Sequence, residues 1–148
     1  MAINLESLDE LQRERLRDMG FFVPGLPQRK PNKYRARKTE YKGVLYDSKA
    51  EADYAAELDA LKFKGEVAWW LRQVKIPLGL DFSTRVDFLV AIKNHSMDST
   101  VLHVYAVEVK GVETREFAKI RKLWTKYSPF DLHINKRGNT EVLRGAGE

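Results

Sequence analysis

Four charged side chains fall where the surrounding pattern turns them inward. They are Asp87 in Arg85-Val-Asp-Phe-Leu-Val-Ala-Ile92, Glu108 and Lys110 in Val104-Tyr-Ala-Val-Glu-Val-Lys-Gly111, and Glu51 in Ser48-Lys-Ala-Glu. A strand sends alternate side chains to opposite faces. Leu102, Val104, Ala106, Glu108 and Lys110 therefore share one face of the second stretch, and Val101, His103, Tyr105, Val107 and Val109 share the other. Both faces are mostly apolar, as in a strand covered on both sides. In the first stretch Val86, Phe88 and Val90 share one face and Asp87 lies with Leu89 on the other. Carboxylates in such surroundings cost free energy unless they are paired or bind a metal. Glu51 precedes Tyr54 and Ala55 by three and four residues, which sets it on the inward stripe of a helix. Ser48-x-x-Glu51 also fits a capping box, a purely structural use of the same residue.

Carboxylates converging without cysteine suit a hard cation such as magnesium or manganese. The chemistry they would serve is phosphodiester hydrolysis, in which a divalent ion neutralises phosphate charge and activates water. Asp87 and Glu108 would be the core ligands, with the carbonyl of Val109 as a third. Glu51 could hold a second ion or order a water. Lys110 would orient the attacking water or stabilise developing charge. A set of buried salt bridges is the competing interpretation. A lone Glu-x-Lys is common, but an Asp strand, a Glu-x-Lys strand and a preceding helical Glu form a more specific combination.

The bulk properties suit that chemistry. The chain has 148 residues, enough for one domain and a short appendage, and 43% of them are hydrophobic, enough for a core. Its net charge is 26 − 21 = +5, with an isoelectric point near 9.4. That balance favours an anionic partner such as nucleic acid. The absence of cysteine excludes disulfides, thiolate zinc sites and a cysteine nucleophile. His95, His103 and His133 are far apart and lack metal-ligand spacing. No run approaches the about 20 apolar residues of a membrane span, and Met-Ala-Ile-Asn-Leu-Glu is not a signal peptide. A soluble cytoplasmic protein without membrane contact is expected.

The elements that would position these residues follow in order. Asn4 can cap a helix ending at Met19-Gly20, packed on its own domain or against a partner. Pro24, Gly25, Pro27 and Pro31 mark a linker. Arg29, Lys30, Lys33, Arg35, Arg37 and Lys38, with Lys42 and interleaved Tyr34 and Tyr41, form a basic arm suited to DNA phosphates. A small hairpin over 39–46 would turn at Lys42-Gly43. A helix over 48–63, opening beside Lys49, is inward at Tyr54, Ala55, Leu58 and Leu61. Strands are predicted over 67–77, 85–92, 101–110 and 131–135, with Gln73 a polar residue inside the first. A helix over 114–127 buries Phe117, Ile120, Trp124 and Tyr127 and carries Arg115, Lys119 and Lys122 outward for phosphate contact. The expected divisions are an appendage over 1–31, a main domain over 32–136 and a flexible tail over 137–148.

At Arg85-Val-Asp87-Phe and Glu108-Val-Lys110-Gly the chain resembles the PD-(D/E)XK nucleases of the restriction-endonuclease-like fold. Val86 stands where that signature has proline, a position that does not ligate. The order of a helical Ser-x-x-Glu, an Asp-Phe strand, a Glu-x-Lys-Gly strand and a basic helix is most similar to phage endonuclease I-type Holliday-junction resolving enzymes. Lys33-Tyr-Arg-Ala-Arg-Lys, Gly43, Asp47-Ser48-Lys49 and Glu51-Ala52 also resemble small phage and prophage proteins grouped with nucleases. The resemblance spans about Lys33 to Asn135. It implies an α/β (α+β) fold, a mixed sheet flanked by helices, with the N-terminal helix as an addition. It implies catalytic Asp87, Glu108 and Lys110, Glu51 joining the metal site, magnesium as cofactor with manganese able to substitute, and a homodimer making paired cuts in a four-way DNA junction. Two alternatives stand beside it: a nuclease acting on duplexes, flaps or ends, and a non-catalytic basic module that only binds nucleic acid.

Overall fold

The structure, a computed structural model, describes residues 9–18, 37–94, 101–110 and 113–147. Backbone packing divides the chain into two units, 1–49 and 50–148. That boundary falls inside the domain expected to begin at residue 32.

The first unit holds helix α1 (Glu10–Asp18) and the hairpin strands β1 (Thr39–Tyr41) and β2 (Val44–Tyr46). Asp9 caps α1: its carboxylate accepts the Gln12 N–H at 2.7 Å, and the Gln12 side chain accepts the Asp9 N–H at 3.2 Å. This reciprocal bonding is a capping box. The Asn4 cap, the Gly20 stop and the linker through Pro31 lie outside the described residues. The hairpin turns at Lys42-Gly43, where φ is 48° and 75°, the two positive values a type I′ turn needs.

The second unit contains helix α2 (Lys49–Phe63) from Ala50 onward, strands β3 (Val67–Pro77), β4 (Ser83–Lys93) and β5 (Leu102–Val109), helix α3 (Arg115–Tyr127), and strands β6 (Asp131–Lys136) and β7 (Asn139–Leu143). The strands form one mixed sheet in sequence order, β3 to β7. Its β5–β6 pair is parallel and the other neighbours are antiparallel. A parallel pair needs a crossover, and α3 supplies it. The fold is α+β, a mixed sheet flanked by helices, as expected.

Each face of the sheet has its own apolar layer. Ile76, Leu78, Val86, Leu89, Ala106, Leu132 and Ile134 pack with Phe117 and Trp124 of α3. On α2, Ala52, Ala55 and Leu58 are buried. The Tyr54 ring lies 5.2 Å from Phe88, and Trp70 Nε1 donates to Asp59 Oδ1 at 3.1 Å. Thr114 caps α3 by accepting the Phe117 N–H, and Ser128-Pro129 ends it. Leu123, rather than the exposed Tyr127, joins Phe117, Ile120 and Trp124 against the core.

Two expectations fail here for physical reasons. Val86, Phe88 and Val90 do not share a face. Val86 packs with Leu89 and Ala106, whereas the Phe88 ring meets Tyr54 and Trp70. The alternation of β4 therefore breaks beside Asp87. Opposite, Gln73 of β3 holds φ at +53°, and Trp69 and Val74, on either side of it, pack against the same layer. A left-handed residue costs roughly 1–2 kcal/mol in a non-glycine residue and changes which way the next side chain points. The flexible tail is also corrected. Arg137-Gly138, at φ 49° and 86°, makes a second type I′ turn, and β7 pairs with β6. Beyond it the Gly145 N–H donates to Asp131 Oδ1 at 3.0 Å, and the Ala146 N–H donates to the Ser128 carbonyl at 2.7 Å.

Gly145 is needed for that return. A Cβ there would lie 2.5 Å from the Phe130 carbonyl oxygen and 2.7 Å from that of Ser128. Gly145→Ala is expected to destabilise the fold by about 1–3 kcal/mol, read as a lower urea midpoint. An unchanged midpoint would mean that the ending is as loose as its composition suggests.

Candidate functional site

The last ladder pair between β4 and β5 is Phe88 with Val107. Past it, the Val109 N–H donates to Asp87 Oδ2 at 2.8 Å, so a side chain takes the place of a backbone acceptor. The second oxygen, Asp87 Oδ1, accepts from Gln73 Nε2 at 3.3 Å. On the other side of β5, the Lys110 N–H donates to the Asn135 carbonyl at 2.9 Å, continuing the pairing with β6. N–H and C=O of one strand residue point to the same side. The carbonyl of Val109 therefore faces the Asp87 side of the strand.

Glu108 and Lys110 follow on the face that carries Ala106. Their side chains are 12% and 24% exposed, and Lys110 Nζ lies 2.6 Å from Glu108 Oε1. The ammonium also sits 4.8 Å above the centre of the Phe117 ring, a cation–π contact anchored by α3. Burial and then the negative charge of Asp87 push the Glu108 carboxyl up to about 7, against the opposing pull of Lys110. The two carboxylates are thus close enough to oppose each other's ionisation.

This arrangement can hold a hard cation. Asp87, Glu108 and the Val109 carbonyl supply the oxygen atoms that such an ion prefers. Among the described residues no three Asp, Glu or His side chains gather into a ligand set. A cation here would rest on two carboxylates, a backbone oxygen and water, which suits magnesium, an ion that keeps several waters. Glu51 is half-buried in the first turn of α2 and is not gathered into such a set with the pair.

The cationic residues are distributed as follows. Arg37 and Lys38 are exposed in the first unit, with Lys38 3.8 Å from Asp47. Lys49 is exposed at the start of α2. Arg115, Lys119 and Lys122 are exposed along α3, and Lys119 lies 5.0 Å above the Phe82 ring. Arg121, on the same helix, is held by Glu113 and Glu141. Arg29, Lys30, Lys33 and Arg35 lie outside the described residues. Gln73 is the residue that was not assigned a role from sequence; the available signal was a lone polar side chain inside an apolar strand.

Fold and site together define a small α+β domain with an acidic pair and a lysine where two strands part. Residues 31–139 match the family described as "Protein of unknown function (DUF1064)", and the chain belongs to that family. No curated protein and no solved structure matches it.

The burial of Glu108 has a consequence for stability. Its carboxyl binds a proton more tightly folded than unfolded, so the unfolded chain holds fewer protons between the ordinary 4.5 and about 7. Stability therefore falls as pH rises through that window and levels off above it. Glu108→Gln removes this penalty. In EDTA it should raise the thermal midpoint at pH 8, by at most about 3 kcal/mol of stability, and give no gain at pH 4. Equal shifts at both pH values would show that the effect is packing and not charge.

Proposed function

We propose that the protein is a metal-dependent, structure-selective DNA endonuclease that resolves four-way junctions as a homodimer in the cytoplasm. The observation that carries the reading is the Asp87–Glu108 pair with Lys110 at the point where β4 and β5 separate. Asp87, Glu108 and the Val109 carbonyl would hold magnesium, with manganese able to substitute. Such an ion, when bound, would neutralise phosphate charge and lower the pKa of a bound water. The Lys110 ammonium, now on Glu108, would donate to the attacking water or to a phosphate oxygen as negative charge builds there. Glu51 would order water or a further ion. The DNA backbone would be held by Arg37, Lys38, Lys49, Arg115, Lys119 and Lys122, joined by Arg29, Lys30, Lys33 and Arg35, without reading sequence. The resemblance to PD-(D/E)XK nucleases supports the same assignment.

The 2.6 Å Lys110–Glu108 contact also supports a second reading, in which the charges are a structural ion pair and the protein only binds nucleic acid. A labelled four-way junction and its matching linear duplex, each with magnesium, manganese or EDTA, separate the two. Paired, metal-dependent cuts near the branch are expected. Asp87→Asn should lower cleavage on the order of 10³-fold while junction affinity changes little, and Lys110→Ala should also abolish cutting. Equal cutting of both DNAs would retain the nuclease and remove the junction preference. Tight, salt-sensitive binding without cutting under either metal would establish the binding module.

A further inference from the structure

We propose that Gln73 is a positioning residue whose amide holds the Asp87 carboxylate in its cation-binding orientation. The inference rests on the reading of Asp87 and Glu108 as a cation-binding pair and adds a residue to it. Three non-glycine residues have positive φ among those described: Lys42, Gln73 and Arg137. Lys42 and Arg137 each precede a glycine in a hairpin turn, so turn geometry accounts for them. Gln73 lies inside β3, where no turn requires it. Glycine would take this backbone without penalty. The chain instead carries a long amide there, and that amide donates to Asp87 Oδ1 at 3.3 Å.

The geometry gives the contact a purpose. The Val109 N–H fixes one end of the Asp87 carboxylate through Oδ2. Rotation about the carboxylate axis would remain open with that contact alone. The amide at Oδ1 supplies a second point from the opposite strand, so both oxygens are set. Such supporting hydrogen bonds orient metal ligands, and losing one commonly weakens metal affinity about 10–100-fold. The left-handed backbone at Gln73 is therefore a strained conformation retained for a site.

The test uses the full chain without DNA. Wild type, Gln73→Gly and Gln73→Asn are titrated with manganese by calorimetry, and thermal midpoints are measured in EDTA. Glycine and asparagine both tolerate positive φ, and neither reaches Asp87. The expected result is a midpoint equal to or above wild type in both variants, with the manganese dissociation constant raised about 10–100-fold and junction cleavage recovered at high manganese. Affinity within twofold of wild type overturns the proposal. So does a loss of affinity that tracks a lower midpoint in both variants, because the role is then structural. If wild type binds manganese and leaves DNA intact, the nuclease reading fails while the affinity ratio still decides Gln73. If wild type binds no manganese, the cation centre and the role of Gln73 fall together.

Discussion

The end of β5 depends on one hydrogen bond, from the Val109 N–H to Asp87. A strand covered on both faces cannot leave a backbone donor unsatisfied without a penalty comparable to a lost hydrogen bond. Before Phe88, β4 is not paired with β5, and its backbone does not supply the acceptor. A carboxylate supplies it instead, and so becomes fixed at a sheet opening, next to Glu108. The opening and the acidic pair are therefore one feature. Closing the ladder would remove the need for Asp87, and removing Asp87 would leave a part-buried donor without its acceptor.

The electrostatics of the opening have a direction. Asp87, Glu108 and Lys110, all ionised, sum to −1. A simple buried ion pair would be neutral, and its carboxylate would be held ionised by its partner. Glu108 goes the other way, with its proton affinity raised by burial and by Asp87 despite an ammonium 2.6 Å away. The tendency to hold a proton is the tendency to hold a cation, because both relieve the same repulsion. The cost falls on folding stability at neutral pH, and a bound divalent ion would offset it.

The sequence was informative wherever one local rule decided the outcome. The capping residues of α3, the Lys42-Gly43 turn and the two-sided apolar run of β5 each follow from a single preference, and the core strands and helices lie close to where those preferences set them. Asp87 and Glu108 stand out in the sequence because carboxylates in apolar runs are costly. What could not be read depended on two strands at once. Period-two alternation assumes an unbroken pleat, so it assigned Val86 to the Phe88 face; the left-handed Gln73 and the parting of β4 from β5 are invisible to it. The ending after Arg137 is glycine-rich, which hides the Arg137-Gly138 turn signal and the strand that follows it. Glu51 is half-buried in the first turn of α2, and spacing along one helix says nothing about the distance to a strand.

Topology explains why a basic surface accompanies the acidic pair. β5 and β6 run parallel, so the chain must cross from one end of the sheet to the other between them. That crossover starts after Lys110, and its helix begins within a few residues, at the Thr114 cap. The first turn of α3 is therefore tied to the end of β5 by a short connection, and Phe117 on its inner side lies beneath the Lys110 ammonium. The apolar stripe from Phe117 to Trp124 fixes the rotation of α3 against the sheet. Once that rotation is set, Arg115, Lys119 and Lys122 must face solvent. One crossover thus anchors the lysine of the acidic site and turns a cationic helix face outward. Were an anionic polymer to follow that face, it would meet the carboxylates only where charge of opposite sign, or a bound cation, offset their repulsion.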